Sequence, residues 1–76
     1  MTDPEPMKIR VDGRAIEICD VAAGVYNAFD GGERVAIAAD VGGGRWLGVR
    51  LGGGVRRHFH LHEGSAEAAV RHLLTT

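Results

Sequence analysis

Glycine pairs and triplets cut this chain into short runs in which apolar and polar residues alternate. That punctuation limits it to a sheet of short strands joined by tight turns. Met7, Ile9 and Val11 alternate with Lys8 and Arg10 ahead of Asp12-Gly13, a dipeptide suited to a two-residue hairpin because both central positions require φ > 0. Arg14, Ile16 and Ile18 then alternate with Ala15 and Glu17, which predicts a hairpin of strands 7–11 and 14–19. After Asp30-Gly31-Gly32, Val35, Ile37, Ala39 and Val41 alternate with Arg34, Ala36, Ala38 and Asp40. Between two glycine triplets, Leu47, Val49 and Leu51 are expected to face one way and Trp46, Gly48 and Arg50 the other. In the last run Val55, Arg57, Phe59 and Leu61 stand opposite Arg56, His58, His60 and His62.

Residues 20–30 admit two readings. Asp20 can cap a short helix carrying Val21, Val25 and Phe29 on one side. Equally, Val25, Asn27 and Phe29 alternate with Tyr26 and Ala28 as a strand. Gly24 costs a helix about 1 kcal/mol relative to alanine, so a strand over 24–29 is favoured. The end of the chain reads as a helix. Ser65 can cap it, and Ala66, Ala69, Val70, Leu73 and Leu74 form one apolar stripe. Glu67 and Arg71 are spaced to pair, although Ala68 leaves the capping box incomplete. A helix this short is not stable alone and must lie on the sheet.

The expected fold is therefore α+β: a small antiparallel β-meander of about four or five strands with one C-terminal helix packed on one face. It occupies residues 7–76 as a single domain, after a short disordered lead at 1–6 containing Asp3, Pro4, Glu5 and Pro6. The helix is expected to cover the apolar faces, leaving a wet face that carries the histidine row.

At 76 residues the chain is one domain near the lower end of what folds alone. Cys19 is the only cysteine, so no intramolecular disulfide is available; it reads as a small buried hydrophobe in a reducing, intracellular setting. No apolar run approaches the roughly 20 residues of a membrane-spanning helix. The lead lacks the basic start and apolar stretch of a signal peptide, so cytoplasmic residence is expected. The net charge is −1, which argues against a protein built to coat nucleic acid. Its distribution is more informative, because residues 1–41 sum to −4 while 42–62 hold four arginines and no acid.

That basic segment supplies the candidate site. His58, His60 and His62 should share one strand face. Same-face residues lie about 6.5–7 Å apart along a strand, so two imidazoles can share a metal ion but three in one row stretch the geometry. Glu63 or His72 are further ligands in principle, but the row has no carboxylate of its own, and no metal or cofactor is expected. Trp46, Arg50, Arg56, His58, His60 and His62 are the expected partner-binding residues, with Trp46 as an anchor. Arg45, Arg50, Arg56 and Arg57 are the alternative, nucleic-acid-binding set. Neither glycine triplet matches a phosphate-cradling motif, no nucleophile–base spacing stands out, and no small-molecule substrate is evident, so catalysis is not expected.

The order of elements over residues 24–74, with Trp46-Leu47-Gly48, Phe59 and the helix start Ser65-Ala66-Glu67-Ala68-Ala69, resembles in pattern the small sheet-plus-helix DNA-binding domains of a class of plant transcription factors and of integrase arm-binding modules. The resemblance implies an open sheet face that enters the major groove. The acidic hairpin ahead of it and the overall charge depart from those domains. The sequence by itself points to a small non-enzymatic interaction module that contacts a protein partner or a second copy of itself, a homodimer included, without a membrane. Nucleic acid is the alternative ligand.

Overall fold

The computed structural model describes residues 7–52 and 54–75; the lead expected at 1–6 lies outside them. The chain forms a six-stranded antiparallel sheet in which every strand pairs with its neighbours in sequence. The strands are β1 (Met7–Val11), β2 (Arg14–Ala22), β3 (Val25–Asp30), β4 (Glu33–Gly42), β5 (Arg45–Gly52) and β6 (Val55–His62). One helix, α1 (Ala66–Thr75), crosses one face. The architecture is the expected α+β meander, with one strand more than the upper expectation. The strand favoured over 24–29 is present as β3, which follows β2 after a tight turn, β2 itself running on to Ala22, and with it the meander reaches six strands. The first hairpin is as read: Val11 pairs with Arg14 around Asp12 and Gly13, whose φ values of 51° and 78° are those of a type I′ turn.

The second and fourth turns repeat one device. Asp20-Val21 and Asp40-Val41 each sit at a register shift, a glycine follows at 24 and 44, and an aromatic ring comes next, Tyr26 in one hairpin and Trp46 in the other. The two rings lie 5.9 Å apart, tilted at 44°, on the side that faces α1. The two hairpins are tied directly, since the Asp40 N–H donates to the Gly24 carbonyl at 2.7 Å.

The core lies between the sheet and α1. Ile9, Val11, Ile16 and Ile18 from the first hairpin and Trp46 and Leu61 from the far side close around Ala69, Val70 and Leu73 of the helix. The floor directly beneath is built from Ala28, Ala36, Ala38 and Gly48, residues with almost no side chain. A Cβ placed on Gly48 would stand 2.6 Å from Leu73 Cδ2, and Leu73 is itself completely buried. The helix therefore rests almost on the sheet backbone.

That seat corrects the expected parity of two strands. Ile37, Ala39, Leu47, Val49 and Leu51 were expected under the helix; instead Ala36, Ala38, Trp46 and Gly48 lie there and the larger aliphatics face the other way. The physical reason is clearance. A helix approaches a sheet closely only over small residues, and the sheet offers them on one side alone.

The helix ends are satisfied locally. Ser65 Oγ accepts the Ala68 N–H at 3.2 Å, the Ncap-to-N3 bond, and Glu67 sits in the first turn where the helix dipole favours an anion. Arg71 bridges outward, donating to Glu67 at 3.2 Å and to the Arg10 carbonyl of β1 at 2.8 Å.

Gly48→Ala should therefore cost about 1–3 kcal/mol through overpacking against Leu73, despite alanine's usual advantage over glycine in backbone entropy. Urea unfolding checks this. In a double-mutant cycle with Leu73→Ala the two losses should fall short of additive, because the smaller side chain removes the clash.

Candidate functional site

The sheet face away from α1 is built row by row from the strand register, since residues paired across antiparallel strands share a face. Val25, Ala39, Leu47 and His60 form one row across β3 to β6. Cys19, Asn27, Ile37, Val49 and His58 form the next. Phe29 and Leu51 extend the apolar area, each with an arginine opposite, Arg34 and Arg56 respectively. Leu47 is 39% exposed, and its apolar neighbours Val25, Ile37, Val49 and Leu51 are half-buried only by one another and the flanking side chains. No element of the described chain covers this surface. It is a continuous aliphatic strip centred on β4 and β5.

The border of the strip is basic. By register and alternation Lys8, Arg10, Arg34, Arg45 and Arg56 project on this side, and Glu17 is the one carboxylate that joins them among the described residues. His58, His60 and His62, all exposed, complete the β6 border. Asp20, Asp30 and Asp40 fall in register with Tyr26, Ile16 and Trp46 on the helix side, near Glu63 and Glu67. Alternation thus sorts the charges by face: Lys8, Arg10 and Arg34 from the acidic first part join Arg45 and Arg56 on the open side, opposite the aspartates.

The expected site residues divide accordingly. Arg56, His58, His60 and His62 stand together on the open face, and Arg45 joins them opposite His62. Arg50 and Arg57 pair with each other in register on the helix side, so the four arginines of the nucleic-acid set do not form one surface. Trp46 was expected as an exposed anchor and is corrected: it is only 5% exposed, stacked near Tyr26, with its indole N–H donating to the Glu63 carbonyl at 3.1 Å. Cys19, expected in the core, is half-buried on the open face instead.

The residues missed by sequence reasoning are Val25, Ile37, Leu47, Val49 and Leu51. A usable signal was present. If Gly53-Gly54 is taken as a two-residue loop, Gly52 pairs with Val55 and the register carries Leu47 to His60 and Trp46 to Leu61. Parity follows from pairing across the hairpin, not from which side of one strand is greasier.

Glu63 ties the helix to the sheet. Its N–H donates to the Gly44 carbonyl at 2.9 Å, its carbonyl accepts the Trp46 indole, and its carboxylate meets His72 Nδ1 at 2.8 Å. The two residues named from sequence as extra metal ligands are thus engaged with each other. Among the described residues no group of three or more His, Cys, Asp or Glu is placed to hold a metal ion. A cleft of about 460 Å³ on the helix side is lined by Asp12, Arg14, Asp30, Glu33, Arg50 and Leu74, and within it Arg14 pairs with Asp30 at 3.3 Å. No charged or polar side chain is buried among the described residues. No described helix is long and apolar enough to cross a membrane.

Truncation should separate the two neighbours in β5 cleanly. Trp46→Ala is expected to lose about 3–5 kcal/mol of stability, as for other buried aromatic truncations. Leu47→Ala, on the open face, should lose about 1 kcal/mol or less. Thermal melts of both variants read the difference, which for a chain this size is about 4–8 °C per kcal/mol.

Comparison with known proteins found no family model, no curated protein and no solved structure that matches this chain.

Proposed function

We propose that this protein is a non-enzymatic interaction module that engages a protein partner through the open face of its sheet. The observation that carries the reading is the aliphatic strip around Leu47, Ile37 and Val49, left uncovered while the opposite face is closed by α1. Contiguous apolar surface rimmed by polar residues marks contact sites on soluble proteins, because leaving it in water costs about 25 cal/mol per Å². In the helix-side cleft Arg14 pairs with Asp30, and beside α1 Arg71 pairs with Glu67 and His72 with Glu63, which favours a structural role for these six groups over a catalytic one.

Nucleic acid is the second reading, favoured by five basic side chains and three imidazoles against one carboxylate on that face. It predicts affinity that falls steeply with salt, since phosphate contacts release counterions. It also predicts that Arg45 and Arg56 matter while Arg50 and Arg57, on the other face, do not.

One capture experiment distinguishes the two. Wild-type protein and the Leu47→Glu/Val49→Glu variant serve as bait in host extract, each with and without nuclease. The protein-partner reading expects a set of proteins retained by wild type, lost by the variant and indifferent to nuclease. A set that is identical for both baits, an empty set, or one that vanishes with nuclease refutes it.

A further inference from the structure

We infer that the open face receives a single amphipathic helix of another protein, with acidic side chains flanking that helix's apolar stripe; this rests on the protein-interaction reading and names the chemistry of the partner. Three features of the face lead there. The first is size. The apolar strip runs from Val25 and Phe29 on β3, with Asn27 between them, across β4 to β5, two inter-strand spacings or about 10 Å, which is the width of one helix with its side chains. Along the strands it runs from the Leu47 row to Phe29 and Leu51, about 14 Å, and a helix of about ten residues covers that length. The chain's own α1, of 10 residues, already occupies the opposite face in this manner.

The second feature is charge. Cations border the strip along the β6 side, where Arg45 and Arg56 stand with the three imidazoles; on the other side β2 presents Ala15, Glu17 and Cys19, and Lys8 and Arg10 lie one strand farther out on β1. Acidic residues on the flank of a docked helix nearest β6 would meet opposite charge directly, and those reaching past β2 would meet Lys8 and Arg10. A second copy applied face to face would set this basic border against itself, so the heterologous partner is favoured over a homodimer through this surface.

The third is side-chain type. Among the described residues the larger apolar side chains of this strip are aliphatic apart from one half-buried ring, Phe29. Stacking of unpaired bases draws on aromatic platforms, which this face does not provide in a row. Aliphatic side chains instead interdigitate with the leucines of a helix stripe.

The test uses the full chain and fluorescently labelled 14-residue model peptides, read by anisotropy. One peptide carries a leucine stripe flanked by glutamates. A second carries the same stripe flanked by lysines, and a third is the glutamate peptide with its stripe scrambled. A 20-nucleotide single-stranded DNA and a duplex form the remaining arms. The expected result is binding of the striped glutamate peptide at least tenfold tighter than either control peptide and tighter than both nucleic acids. Leu47→Glu, checked for its fold by circular dichroism, should weaken it at least tenfold. Equal binding of the striped and scrambled peptides, tighter binding of either nucleic acid, or indifference to Leu47→Glu overturns the proposal. If the captured proteins still depend on Leu47 and Val49 while the peptides do not discriminate, the face stands as a contact surface and this occupant falls. If neither depends on them, the interaction reading falls as well.

Discussion

The contact of Leu73 with the bare backbone at Gly48 decides most of what this molecule is. A sheet of alternating residues has two candidate faces, and β4 and β5 are apolar enough on both to bury either one. The helix can settle only where side chains are short, over Ala28, Ala36, Ala38 and Gly48, and it is then held by Trp46 and Leu61 rising on its far side. Choosing the flat side for the helix commits the bulky side, with Ile37, Leu47 and Val49, to the outside. The interior is well packed because the larger aliphatics were kept out of it. Their exposure is the other half of the same arrangement.

Electrostatics follows the same division. Along the chain the acids cluster early and the arginines later, which alone says nothing about shape. Pairing each strand with its sequence neighbour interleaves the two, and alternation then sorts them by side. Asp20, Asp30 and Asp40 go with the helix layer, while Lys8, Arg10, Arg34, Arg45 and Arg56 go with the aliphatic strip. A nearly neutral protein thus presents one basic, greasy face and one more acidic face. Local charge at a contact surface governs which partner is met and how fast, and net charge does not.

Much of the architecture was legible in the sequence because glycine turns and period-two alternation are short-range signals. Asp12-Gly13 fixed the first hairpin, and Ser65 with the stripe from Ala66 to Leu74 fixed the helix. Phe59 and Leu61 were read toward the helix with the histidines outward, and they stand so, Leu61 buried and Phe59 partly buried. The candidate site was only half legible. The strands of the middle sheet carry apolar residues at both parities, so the hydrophobic pattern there cannot say which side is inward. Trp46 and Leu47 were exchanged for that reason: taking Leu47, Val49 and Leu51 as the inward set of β5 sends Trp46 outward. Residues 20–30 were ambiguous because Gly24 and the register shift at Val21 interrupt the alternation that would have marked a continuous strand.

The convergence of strand, indole and helix on Glu63 bears on how the molecule opens. Its backbone pairs with Gly44 and Trp46, and its carboxylate holds His72 in the helix, so lifting α1 strains the end of β5 as well. The helix should not detach as a separate, low-energy excursion. Amide protons of α1 and of the central strands are thereby bound into one cooperative opening, exchanging with deuterated solvent on a common slow schedule, with the faster ones left to the glycine turns.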